Sequence, residues 1–137
     1  MTHPIRDRIQ RVMSLPHPPE KVWVEIGGFG DIAAWHPRVA KAEVIEIEGE
    51  THRHLTLTDG ELILERFVEA GPHHYTYEVV ESQLPIFDHR ATLSCVAEGD
   101  GCHVFWSAVF ERTDPAADDI VAAFYEEGLR ALRDRYS

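Results

Sequence analysis

The sequence has few cysteines, and this scarcity excludes one class of protein. Only two cysteines, Cys95 and Cys102, occur among the 137 residues, too few for the disulfide framework that holds small secreted domains together. They lie close together in sequence, and we expect them on paired strands. A disulfide between them stays open as an alternative, but the cytoplasmic location that we expect favours two reduced thiols.

The sequence is also short of positive charge and of long hydrophobic runs. It carries 13 basic and 24 acidic residues, a formal net charge of −11, which argues against nucleic acid as a partner because phosphates require a basic surface. The same charge argues against docking on an anionic membrane leaflet. No apolar stretch is long enough to cross a bilayer, and residues 1–12 are charged throughout and do not resemble a signal peptide. We therefore expect no membrane insertion.

Several motifs associated with catalysis, metals or cofactors are missing as well. The glycine-rich residues 27–30 follow a predicted helix, and no Lys-Ser/Thr pair comes after them, so they do not form a phosphate loop. No Gly-x-Ser-x-Gly elbow is present. His52 and His54 share one face of a predicted strand and could chelate a metal, but no spacing of ligands matches a zinc pattern. We expect solvated histidines there, no metal and no cofactor.

One long helix is predicted at the end of the chain, at residues 114–136. Asp114 can cap its first turn and Pro115 fits the first helical position. Acidic residues follow at the start and arginines lie at the end, which suits the helix dipole. Apolar residues at three- and four-residue steps predict a buried stripe. Its members are Ile120, Val121, Phe124, Gly128, Ala131 and Leu132.

Short segments of alternating polarity, separated by turn residues, precede this helix. They predict seven strands at residues 9–14, 42–48, 52–58, 61–69, 73–81, 89–97 and 103–112. Two short helices are predicted after the first strand, at residues 20–26 and 29–35. A chain of 137 residues suggests one domain. An amphipathic helix against a curved sheet buries both apolar faces, so the predicted class is α+β.

A series of short motifs occurs in a characteristic order along nearly the whole chain. They are Val22-Trp23, Phe29-Gly30, Trp35-His36-Pro37, Arg53-His54-Leu55, Asp59-Gly60, Glu65-Arg66-Phe67, Tyr75-Thr76-Tyr77, Leu84-Pro85-Ile86-Phe87-Asp88 and Trp106. Together they resemble the polyketide cyclase/dehydrase and lipid-transport proteins of the START-like (SRPBCC) superfamily. The resemblance implies a helix-grip fold, in which a seven-stranded antiparallel sheet (order β-α-α-β6-α) wraps around the long C-terminal helix. It also implies a cavity for a small hydrophobic or amphipathic molecule.

Alternation along the strands predicts which side chains face that cavity. In the last strand Trp106 and Phe110 share the more apolar face, and Arg53 points inward from the third strand. The alternation cannot choose a face for the fourth strand, where the resemblance favours Glu65 inward. The resemblance also places Trp35 and His36 near one lip. The predicted ligand-binding residues are Trp35, His36, Arg53, Glu65, Tyr75, Tyr77, His89, Trp106, Phe110 and Phe124.

Each polar member of this set has a structural alternative. Arg53 and Glu65 can pair across a hairpin, and the structural alternative is a buried ion pair or a position near the rim in solvent. The functional alternative is a site where Arg53 binds a ligand carboxylate or enolate and Glu65 orients it or acts as a base. Tyr75 and Tyr77 offer hydroxyls or ordinary aromatic packing. His36 is a polar contact in the cavity, or else a capping or surface histidine. At His89 the resemblance leads us to expect a tyrosine, so a ligand contact there does not carry over.

The resemblance does not settle the function, because the family includes both carriers and cyclases. A carrier would need only an apolar cavity. A cyclase or dehydratase would need Arg53, Glu65, the tyrosines and His36 or His89 to converge as acid–base and anion-stabilising groups. A third alternative is a cavity filled by the protein's own side chains. A homodimer through the first strand or the last helix also stays open.

Overall fold

The computed structural model describes residues 6–136, which form a seven-stranded antiparallel sheet and three helices. The elements are β1 (Asp7–Leu15), α1 (Pro19–Ile26), α2 (Ile32–Trp35), β2 (Val39–Ile47), β3 (Glu50–Leu57), β4 (Leu62–Gly71), β5 (His74–Glu81), β6 (Ile86–Glu98), β7 (Gly101–Arg112) and α3 (Ala117–Tyr136). The strand order is β1-β7-β6-β5-β4-β3-β2, so β2 to β7 form a meander and β1 pairs with β7. The predicted α+β helix-grip fold is confirmed.

The turns follow from local backbone chemistry. Between β2 and β3, Glu48 and Gly49 have φ angles of 51° and 81°, and Ile47 pairs with Glu50. Two central residues with positive φ make the tight hairpin turn whose twist suits antiparallel strands. Gly60, at φ 92°, occupies a backbone conformation in the β3–β4 turn that side-chain-bearing residues rarely adopt.

The start of α3 differs from its prediction. The helix begins at Ala117 rather than at Asp114, because Asp114 and Pro115 form a separate turn before it. The side chain of Asp114 accepts a hydrogen bond from the Ala116 amide at 2.8 Å, and its carbonyl accepts one from Ala117 at 3.1 Å. Asp114 therefore caps this turn.

The buried face of α3 is also rotated from the predicted stripe. Val121, Gly128 and Leu132 are buried as predicted, but Ile120 is 38% exposed and Phe124 is only partly buried. Ala131 is also only partly buried. The centre of the face is taken by Tyr125 and Leu129, which are 3% and 1% exposed.

The helix α3 packs mainly across β1 and β7. Arg11 on β1 donates to Glu126 on α3 at 2.8 Å, and Trp106 on β7 stacks against Tyr125 with ring centroids 4.3 Å apart. This placement leaves the inner face of β3, β4 and β5 less closely covered by the helix. No helix among residues 6–136 is both long and apolar enough to cross a membrane.

The two cysteines lie on paired strands, as predicted. Cys95 on β6 pairs with Val104 in the register, and Cys102 on β7 pairs with Ala97. Both are buried free thiols. Burial and a hydrogen bond with Cys102 raise the pKa of the Cys95 thiol, so it stays protonated and unreactive.

Candidate functional site

A cavity of about 230 Å³ lies between the sheet and the first half of α3. Its apolar walls include Leu57, Ile63, Val79, Leu84, Ile86 and Val121. Four buried residues bring polar atoms to its lining, namely Glu65, Tyr77, His89 and Tyr125. The more exposed lining residues Arg38, Asp59, Glu61, Gln83 and Ile120 mark the mouth.

Arg53 and Glu65 form the predicted ion pair beside this cavity. They are directly opposite in the β3–β4 register, and the Arg53 Nε atom lies 2.6 Å from Glu65 Oε1. Arg53 Nη1 also donates to the Phe29 carbonyl at 2.9 Å and to the Tyr75 hydroxyl at 3.1 Å. The guanidinium lies over the rings of Phe29 and Tyr77, 4.3 and 4.7 Å from their centroids. Aromatic faces and a carboxylate thus enclose one buried cation.

Burial by itself lowers the pKa of Arg53 and raises the pKa of Glu65. Desolvation disfavours the charged form of Arg53, but the attraction of Glu65 and the two tyrosines outweighs it and raises the guanidinium pKa, so Arg53 stays charged. Burial raises the pKa of the Glu65 carboxyl above its ordinary value, and Arg53 offsets part of this shift. The Glu65 carboxyl therefore holds a proton more readily than an exposed glutamate does.

Two tyrosine hydroxyls join the cavity to the core. Trp106 Nε1 donates to the Tyr77 hydroxyl at 2.9 Å. Burial raises the pKa values of Tyr77 and Tyr125, so both hydroxyls stay protonated and remain able to donate and accept hydrogen bonds. Tyr75 lies further from the cavity, where its hydroxyl accepts from Arg53.

His36 connects α2 to the middle of α3. Its Nδ1 accepts the Arg38 amide at 3.1 Å, so Nε2 carries the proton and donates to the Phe124 carbonyl at 2.8 Å. Burial lowers its pKa to about 4, which keeps the ring neutral. The surface alternative is wrong, because His36 is 1% exposed. Gly128 permits this approach, since a Cβ atom there would lie 2.5 Å from His36 Cδ2.

His89 is held in one tautomer by a break in the sheet. The β5–β6 pairing ends at Tyr77, and beyond it a bulge in β6 contains Asp88 with a φ of 51°. The Val79 amide there donates to His89 Nδ1 at 3.0 Å. The proton of the neutral ring therefore sits on Nε2, which makes His89 a hydrogen-bond donor among the lining residues. Burial lowers its pKa to about 4.

Comparison with known proteins identifies the family of the chain. A family model described as polyketide cyclase/dehydrase and lipid transport matches residues 6–137. The chain belongs to this family. No curated protein matches the chain.

Solved structures with the family's fold cover almost the whole chain. The protein XoxI from Bacillus cereus is 27% identical over 94% of each chain, with a TM-score of 0.87. A protein from Bacillus thuringiensis is 28% identical over 95% of this chain and 98% of its own, with a TM-score of 0.86. The Zhui aromatase/cyclase from Streptomyces sp. R1128 is 13% identical over 95% of this chain and 90% of its own. Its TM-score of 0.73 shows a shared fold.

The predicted site residues of this family member fall into two groups. Glu65, Tyr77, His89 and Phe124 line the cavity. The others lie behind this lining. Arg53 and Tyr75 lie behind Glu65. Trp35, His36 and Trp106 form an aromatic cluster against Phe124, and Phe110 stacks on His89.

Some lining residues were missed from the sequence. Tyr125 was overlooked because the predicted stripe on α3 was out of phase, although its position four residues after Val121 places it on the same helical face. Residues 84–86 belong to one of the family motifs, but no residue of 83–86 was predicted to bind the ligand, yet all four line the cavity.

The histidine prediction on β3 was also partly wrong. His52 is 6% exposed rather than solvated, because it lies between Ile45 and Arg66 on the neighbouring strands. Its Nδ1 lies 2.9 Å from the Glu50 carbonyl. Residues 6–136 contain no group of three or more histidines, cysteines or acids that could hold a metal ion.

Proposed function

We propose that the protein binds a small apolar or amphipathic molecule in the cavity between the sheet and α3. The observation that carries this proposal is a cavity of about 230 Å³ with apolar walls and a few buried polar groups. Ligand sites typically combine an apolar lining with a small number of polar atoms that fix orientation. Membership of a family described by cyclase, dehydrase and lipid-transport functions supports the same conclusion.

The volume limits the size of the ligand. An apolar cavity of roughly 150 Å³ holds a benzene molecule, so a cavity of about 230 Å³ suits a body of one or two rings or a short branched chain. A long acyl chain would have to extend through the mouth.

Two neighbouring valines provide a matched test. Val79 lines the cavity, whereas Val80 does not and is 53% exposed. We expect naphthalene and 2-naphthol to bind the wild type and Val80→Phe in calorimetric titrations. Val79→Phe should bind at least tenfold more weakly while keeping its circular dichroism spectrum. If neither compound binds the wild type, and native mass spectrometry finds only bare protein, the proposal fails.

A second candidate function is a cyclase- or dehydratase-type enzyme. It is favoured by one observation, that a carboxyl with a raised pKa and a neutral imidazole, Glu65 and His89, line the same cavity. Such a pair can act in general acid–base catalysis. Heptane-2,6-dione, which closes to a cyclic enone by aldol addition and loss of water, is a suitable small substrate. We expect acceleration that Glu65→Gln removes, and equal rates with and without protein would exclude this activity for that substrate.

A further inference from the structure

We propose that the cavity selects its ligand by charge, accepting an uncharged hydroxyl-bearing molecule and rejecting a carboxylate of similar size. Glu65 is the residue that imposes this selection. The inference rests on the proposed function, because it concerns the ligand bound in the same cavity. It adds the chemical class of the polar end of that ligand.

The buried cation of Arg53 is separated from the cavity by Glu65. Arg53 is fully buried, and its Nε and Nη1 atoms are committed to Glu65, the Phe29 carbonyl and the Tyr75 hydroxyl. Its Nη2 atom is shielded from solvent and has no hydrogen-bond partner among residues 6–136. Arg53 does not line the cavity, whereas Glu65 does. An anionic ligand would therefore approach the carboxylate rather than the guanidinium.

The cavity lining includes a hydrogen-bond acceptor, Glu65, and a hydrogen-bond donor, His89. The carboxylate of Glu65 accepts hydrogen bonds, and His89 presents a protonated Nε2 because its Nδ1 accepts the Val79 amide. A hydroxyl group both donates and accepts, so it can pair with the Glu65 carboxylate as a donor or with His89 as an acceptor. A ligand carboxylate has no proton to give to Glu65, and two like charges in a poorly solvated cavity repel each other.

The mouth of the cavity carries more acidic than basic side chains. Asp59 and Glu61 lie there with a single guanidinium, Arg38, which is itself 3.5 Å from Glu127. Together with Glu65, three carboxylates and one guanidinium line the cavity. The net charge of the chain is −11. The local and overall fields both disfavour the approach of an anion.

Three naphthalene derivatives of similar shape test the inference without altering the protein. We expect 2-naphthol and 2-naphthamide, which are uncharged, to bind at least tenfold more tightly than 2-naphthoate in calorimetric titrations at pH 7.5. Equal or tighter binding of 2-naphthoate would overturn the inference, and would point to Arg53 Nη2 as an anion site. If none of the three binds, and naphthalene does not bind either, the proposed function itself fails.

Variants of Glu65 test whether this residue causes the preference for uncharged ligands. In Glu65→Gln the preference for 2-naphthol over 2-naphthoate should fall below threefold, because the amide can donate to a carboxylate. The double variant Arg53→Met/Glu65→Leu removes both charges, so it avoids an unpaired buried cation, and it should lose the preference as well. Glu98→Gln, on an exposed side chain, is the matched control and should keep the wild-type ratio. An unchanged preference in both Glu65 variants would refute the role of this residue.

Discussion

The buried pair of Arg53 and Glu65 leads to a prediction about stability in which the two single variants behave differently. Glu65→Leu leaves Arg53 charged and without its carboxylate, in a site that is 0% exposed. Breaking a buried ion pair by removing one partner typically costs about 3–5 kcal/mol of unfolding free energy. The guanidinium cannot lose its proton at ordinary pH, so this loss should be independent of pH between 5 and 8.

Arg53→Met leaves a buried carboxyl that can take up a proton. Burial already raises the pKa of Glu65, and removing Arg53 takes away the attraction that offset the shift. The folded state then binds more protons than the unfolded state, so stability falls as the pH rises above the ordinary glutamate range. We expect Arg53→Met to be more stable at pH 5 than at pH 8, with the largest loss at the higher pH.

Urea unfolding followed by circular dichroism at pH 5, 6.5 and 8 measures the unfolding free energy of each variant, and the value for the wild type at the same pH is subtracted. The double variant Arg53→Met/Glu65→Leu is the control, because replacing both members of a buried pair with apolar residues is often neutral. It should be at least 2 kcal/mol more stable than Glu65→Leu. A loss below about 1 kcal/mol in Glu65→Leu, or parallel pH profiles for the two single variants, would refute the reasoning.

Three further predictions concern the residues around α3 and the cavity. Gly128→Ala should destabilise the fold by about 1–3 kcal/mol through its contact with His36, despite the better helix propensity of alanine; a gain in the urea midpoint would contradict this. Burial lowers the pKa values of both His36 and His89 to about 4. Their contribution to the free energy of unfolding is therefore present above pH 6.5 and is lost as the pH falls towards 4. Each histidine should lose about 2 kcal/mol of unfolding free energy by pH 5. His89→Phe should therefore flatten the pH dependence of the unfolding free energy measured by urea denaturation. Trp106→Phe removes the donor to Tyr77 and should cost about 1–3 kcal/mol. It should change the 2-naphthol dissociation constant less than threefold, and a larger change would place Trp106 in the site.

Local patterns were sufficient to predict much of the fold. Alternation on β3 and β7 correctly placed Arg53 and Trp106 inside, since neighbouring side chains on a strand point to opposite faces. The inward face of Glu65 came from the family resemblance, because alternation on β4 did not choose a face, and the β3–β4 hairpin then sets Glu65 opposite Arg53. These features depend on residues close together in sequence.

The position of the cavity depends on contacts between distant parts of the chain and was not predictable in this way. Whether Phe124 or Tyr125 faces the sheet is set by how α3 lies across β1 and β7. The orientation of His89 depends on a bulge at Asp88, and no turn motif in the sequence predicts this bulge. His36 finds its acceptor in α3, 88 residues further along the chain, so its role could not be derived from its neighbours.

The uneven attachment of α3 has a consequence for how ligand preference could diversify. The second half of the helix is fixed to the body of the protein, with Leu132 fully buried and Arg135 bonded to Glu25 and to the Ala34 carbonyl. Ile120 and Val121, by contrast, border the cavity near the other end. Mutations at these two positions can change which molecule fits the cavity while the anchoring contacts of the second half of the helix stay intact, so evolution or a protein engineer can alter specificity without disturbing those contacts.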